Sequence, residues 1–205
     1  MPRRPTYLAR DFSEKLVIIK STRAKVEALL SPGQLTRRDV EAVYAGLFID
    51  AFTEFEALIE RLFLGLFDGS LRSVTQPTTR MFAVTPKTSC RAVVFDGGNY
   101  VDWLPVEDKA IPRAKRFLTG GIPFSSLLPV DKQNLKSAHL LRNALAHKSD
   151  AATQRFLSSI NLQALLPQEK TPSGYLRTRP QGPTGITQFE IKMSILATVA
   201  TKLCA

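Results

Sequence analysis

The segment LLRNALAHKSD, residues 140–150, sets an arginine, an asparagine and a histidine within six positions of an otherwise apolar helical run. Core packing alone does not ask for them. At 100° per residue His139, Asn143 and His147 share one helix ridge, while Arg142 points about 140° away from His147. Within one straight helix the guanidinium and the imidazole converge only in part, through the reach of arginine and an early helix end. A twofold dimer in which two copies of this helix meet would line one groove with both pairs. The chemistry such a groove suits is phosphodiester cleavage. RNA carries its own nucleophile, the 2′-hydroxyl. A histidine near neutral pKa can take that proton or give one to the leaving 5′-oxygen. An arginine can clamp the phosphate with two hydrogen bonds. An asparagine, with both donor and acceptor, can orient either partner. No cofactor and no metal enter this scheme, and the products would be a 2′,3′-cyclic phosphate and a 5′-hydroxyl.

Other readings of the same residues stand beside this one. Arginine and histidine near a helix end also serve as surface ion pairs or as cations favoured by the helix dipole. His139 and His147 are eight residues apart, ~12 Å along one helix, too far to share a metal within one chain. The sequence has no HExxH pattern, no P-loop and no GxGxxG, and no serine elbow that would support acyl transfer. Cys90 and Cys204 match no zinc spacing and make no disulfide framework, so a reducing cytoplasm is the expected compartment.

The chain has 205 residues, a formal charge of +10 and a pI near 9.9. That length fits one medium domain. The charge favours a polyanionic partner such as RNA, because cationic surfaces release counterions from nucleic acid. It is unevenly spread. Residues 1–38 carry nine basic and three acidic side chains, residues 39–68 one and seven, and residues 69–205 eighteen and eight. One acidic helix therefore sits in a basic protein. No stretch reaches the roughly 18 uninterrupted apolar residues of a membrane span, and the N-terminus lacks the apolar core of a signal peptide.

The positioning elements follow from hydrophobic spacing. Residues 11–30 read as an amphipathic helix with Leu16, Ile19, Val26 and Leu29 on one face, stopped by Ser31-Pro32-Gly33. Thr36 with Asp39 reads as a capping pair. A long helix should follow to about Phe67, striped by Tyr44, Phe48, Ala51, Phe55, Leu58, Leu62 and Leu66 and widened by Leu47, Phe52, Ile59 and Phe63. So apolar a helix should be the central one. In residues 70–130, RMFAV and RAVVF look β-like around a turn at residues 96–99, which allows a small hairpin. A short helix is expected over Val106–Leu118, late-starting because of Pro112. This segment reads as an insertion packed on the bundle, within a single domain covering 1–205. A helix from Asp131 to about Lys148 buries Leu135, Ala138, Leu141 and Leu145, and another runs to about Ile160. Proline and glycine make residues 167–185 an extended loop, and Ile186–Leu203 a closing helix. The fold class expected is an all-α bundle with one irregular insertion.

Arg142-Asn143-Ala144-Leu145-Ala146-His147 resembles the motif of the HEPN superfamily, in which an arginine, commonly followed by a polar residue, precedes a histidine by four to six positions. The RN-x-x-AH form is similar to that of the RiboL-PSP-HEPN branch. So are the helix FTEFEALIERLF (Phe52–Phe63), the WLP…GGIPF approach to the motif, and TPSGYL (Thr171–Leu176) before a last helix. The resemblance implies a helical bundle that forms a homodimer with the motif helices at the interface. It also implies a metal-independent endoribonuclease of a toxin–antitoxin, antiphage or RNA-processing system, with an antitoxin or defence-system protein as partner. Carried over by residue, Arg142 and His147 would be catalytic, with Asn143 in support. Glu56, or failing that Glu54, would be the acidic residue of the preceding long helix, and Lys148 would contact phosphate. The family also holds members that have lost activity. A catalytically silent module binding RNA or protein, and a purely structural dimer, are the alternatives.

Overall fold

The computed structural model describes residues 2–31, 33–84 and 89–205. Pro32, part of the expected helix stop, lies outside them. The chain is all-α. Eight α-helices and no strand occur among the described residues: α1 (Thr6–Ala28), α2 (Arg37–Asp68), α3 (Ser89–Phe95), α4 (Ala110–Phe117), α5 (Pro129–His147), α6 (Asp150–Leu157), α7 (Pro172–Arg177) and α8 (Gln188–Leu203).

The 32-residue α2 begins where its cap predicts. Asp39 accepts hydrogen bonds from the Thr36 amide at 2.9 Å and the Thr36 hydroxyl at 2.6 Å, and the Thr36 hydroxyl accepts from the Asp39 amide at 3.3 Å. That satisfies donors the first turn would otherwise leave orphaned. It ends at Gly69, whose φ of +77° suits the left-handed stop. Every stripe residue from Tyr44 to Leu66 is buried, as are Phe52, Ile59 and Phe63, while Leu47 is half-buried. The same reciprocal cap recurs at α8, between Thr187 and Glu190.

The chain divides into two compact units, and α1, α2, α5 and α8 contribute residues to both. The first comprises Met1–Phe12, Phe55–Lys136 and Ala197–Ala205. Its core is aromatic. Phe63 meets Trp103 at 5.0 Å, Phe117 at 5.8 Å and Phe124 at 5.9 Å between ring centroids, and Phe67 meets Phe117 at 5.0 Å. Trp103 Nε1 donates to Glu60 at 3.3 Å, and Arg91 pairs with the same carboxylate. The loop after α2 is tied to the chain end: Ser73 donates to the Ala205 carbonyl and Gln76 to that of Lys202. The residues 70–130, read from sequence as an insertion, lie in this unit, except that 85–88 are outside the described residues.

The second unit comprises Ser13–Glu54 and Ser137–Leu196. Tyr44 stands edge-on to Phe189 at 5.3 Å and Phe156 to Tyr175 at 5.2 Å. Ion pairs run through it. Arg177 holds Glu27 with two hydrogen bonds, at 2.6 and 3.3 Å, and approaches Glu41 at 4.0 Å, while Arg23 pairs with Glu190.

Several expectations are corrected. The β-like RAVVF is the body of α3, not a strand. Its helical spacing buries Cys90, Val94 and Phe95, and the Arg91 guanidinium lies 4.0 Å over the Phe95 ring one turn on. Tertiary burial here overrides the strand propensity of paired valines. RMFAV forms no strand either; Arg80 makes only an isolated bridge to Leu118, so no hairpin forms among the described residues. The proline-rich 167–185 is not wholly loop. Thr171 caps α7 by accepting from the Gly174 amide at 3.0 Å, and Pro172 occupies the first helical position, which needs no amide hydrogen. Helix α1 starts five residues earlier than its spacing suggests, because Leu8, Ala9 and Phe12 are buried.

Candidate active site

The motif occupies the last two turns of α5. Leu135, Ala138, Leu141, Ala144 and Leu145 are buried, which leaves Arg142 and Asn143 half-buried and His147 exposed as the final helical residue. Lys148 then takes the left-handed conformation, φ +49°. Ser149 follows as the cap of α6, accepting from the Ala152 amide at 3.3 Å. The corner between the two helices is therefore two residues long, and it holds the imidazole of His147 at a helix end instead of within a packed face.

Asn143 is the link. Arg142 Nη1 donates to Asn143 Oδ1 at 3.1 Å, and Asn143 Nδ2 lies 3.2 Å from His139 Nε2. The roles are forced. A guanidinium only donates, so the amide oxygen must face it. The amide nitrogen is then the group turned to His139 Nε2. The ring also stacks on Phe52, 6.1 Å between centroids at 21°. Asn143 joins His147 in the wall of a cavity of about 260 Å³, together with Leu140, Ala152 and Arg155. The His147 imidazole makes no hydrogen bond or ion pair with another described residue.

Of the residues singled out by sequence, Arg142 and Asn143 are brought into contact, and Asn143 and His147 share a cavity wall. No hydrogen bond joins Arg142 to His147. Lys148 is exposed and lines a larger cavity of about 550 Å³ with Arg38, Glu41 and Leu145. Glu54 belongs to the second unit and pairs with Lys15. Glu56 is half-buried on the stretch of α2 that belongs to the first unit. Sequence reasoning placed His139 on the ridge but gave it no role. The four-residue spacing to Asn143 was the available signal; the direction of the amide was not.

Among the described residues no group of three or more His, Cys, Asp or Glu side chains is placed to hold a metal ion, and no helix is long and apolar enough to cross a membrane. No family model, curated protein or solved structure matches the chain.

Proposed function

We propose that this chain is a metal-independent endoribonuclease of HEPN type that cleaves RNA through its own 2′-hydroxyl. It acts as a cytoplasmic homodimer in a toxin or antiphage defence setting. The observation that carries this reading is the place of Asn143, whose amide oxygen accepts from Arg142 and which lines one cavity together with His147. One polar side chain thereby touches the phosphate-clamping group and lines the cavity wall it shares with the acid–base group. His147 takes the 2′-hydroxyl proton or delivers one to the departing 5′-oxygen, and its exposure leaves it open to substrate. Arg142 neutralises charge building on the phosphate. Glu56 is the supporting acid of the long helix, Lys148 meets a neighbouring phosphate, and a second copy of the chain supplies the complementary imidazole. The +10 charge supports a polyanionic substrate.

A second reading has its own observation. Asn143 turns its amide nitrogen to His139, not to His147. That favours a catalytically silent module in which the polar ridge binds RNA or protein. Incubating the purified chain with RNA in EDTA and identifying the product ends separates the two. The nuclease reading expects cyclic phosphate ends from the wild type and their loss in His147→Ala. Intact RNA, or equal cleavage by His147→Ala, contradicts it.

A further inference from the structure

A second pair of reactive side chains lies on α5 and α8, 55 residues apart in sequence. Lys192 Nζ donates a hydrogen bond to Ser137 Oγ at 2.9 Å. Lys192 is 6% exposed, and among the described residues no carboxylate pairs with it. Burial pushes its ammonium down to about 8. Ser137 differs. It is half-buried and forms part of the wall of a cavity of about 430 Å³, with Asn161, Tyr175, Thr178 and Gln188. Lys192 is not part of that wall. The serine faces the cavity and the amine is buried behind it, the arrangement that places a general base beside a nucleophile.

Packing alone does not explain the lysine. A buried ammonium without a carboxylate destabilises the fold, and a thioether would fill similar space without that cost, as Met193 does next to it. We propose that Ser137 is a nucleophile activated by Lys192, and that the cavity receives a small acyl ester. The neutral amine accepts the Oγ proton as the Oγ–C bond forms at the ester carbonyl. The tetrahedral adduct then collapses as its C–O bond breaks, and the Lys192 ammonium gives its proton to the departing alkoxide oxygen, which leaves as the alcohol. Water, deprotonated by the same amine, attacks the acyl-serine and frees the acid, so Ser137 Oγ regains its proton. The side-chain amides of Asn161 and Gln188 are donors available in the wall for the developing oxyanion. Glu169 and Arg179 are the charged groups of that wall. Both are turned to local backbone: Glu169 accepts from the Leu166 amide, and Arg179 donates to the Pro183 and Gly185 carbonyls.

The test treats the full-length chain with p-nitrophenyl acetate and, separately, with a serine-directed fluorophosphonate, and maps the adduct by peptide mass spectrometry. The expected adduct is on Ser137, formed faster as pH rises through about 8. It should be absent in Ser137→Ala and slowed about tenfold or more in Lys192→Met. If Lys192→Met does not fold, the Ser137→Cys variant serves: its thiol should titrate below the ordinary cysteine value of about 8.5 in the presence of Lys192. No adduct on Ser137, an adduct formed equally fast in Lys192→Met, or an unshifted thiol overturns the proposal.

Discussion

The two units bury different things. The first packs Phe63, Phe67, Trp103, Phe117 and Phe124 against one another, and its polar groups are a few pairs at the margin of that core: Glu60 with Trp103 and Arg91, Asp131 with Lys202, and Ser73 and Gln76 on the chain end. The second sets charged and hydrogen-bonding side chains, most of them half-buried, among its apolar residues: Arg23 with Glu190, Arg177 with Glu27, the Tyr44 hydroxyl and the Arg142–Asn143–His139 chain. Aromatic burial stabilises at little risk, whereas a buried polar group stabilises only when its partners stay in place. Selection for stability alone favours the first arrangement. The second arrangement is what a site needs, because its groups must keep their directions.

That contrast breaks most sharply at the end of α5. His147→Ala should slow RNA cleavage by ~10²–10⁴-fold while leaving the thermal midpoint unchanged, since the side chain is exposed and unpaired. A matching drop in both would make His147 a structural residue. In the first unit the effects should reverse. Phe63→Ala removes a ring touching three other aromatic side chains and should cost ~3–5 kcal/mol in urea unfolding, with cleavage by the folded fraction unaltered.

Acid should act on the second unit. Burial pushes the Glu27 carboxyl up, but the hydrogen bonds and charge of Arg177, with help from Tyr44 and Arg23, carry it below its ordinary value of 4.5. A carboxyl lowered in the folded state stabilises fully above that value, and its contribution is lost as pH falls below it. Unfolding followed from neutral pH to below 4.5 should therefore show a loss that Glu27→Gln no longer shows, and the variant should be about 1.5–3 kcal/mol less stable at neutral pH. An identical pH profile in the variant would remove Glu27 from the account. The smallest effect concerns Lys148. Its left-handed backbone suits glycine, so Lys148→Gly should raise stability by about 1 kcal/mol. If the side chain meets phosphate, the same variant should bind RNA more weakly and with a shallower salt dependence. Unchanged binding would assign the lysine to the corner alone.

Much of this was legible in the sequence where one signal dominates. The stripe from Tyr44 to Leu66 and the Thr36–Asp39 cap fixed α2, because a long apolar period and a reciprocal cap have few other solutions. RAVVF misled because two adjacent valines carry strand propensity, while its helical face depends on what buries Cys90 and Phe95. At Thr171-Pro172 the prolines and glycines looked like loop, although the same residues cap and start a helix. In the site, the spacing of Arg142 and His147 was visible. The bond from Asn143 to His139 was not, since it depends on a side-chain amide rotamer. The Ser137–Lys192 contact was hidden for another reason: it joins two helices that no local pattern relates.

The central claim is that Arg142 and His147 act on one phosphate. Single-turnover cleavage of one RNA by Arg142→Ala, His147→Ala and the double variant tests it most directly. Groups serving the same step lose little more together than apart, so the account predicts a double variant about as slow as the slower single one. Losses that multiply independently, or a double variant that still cleaves at the wild-type rate, would contradict it.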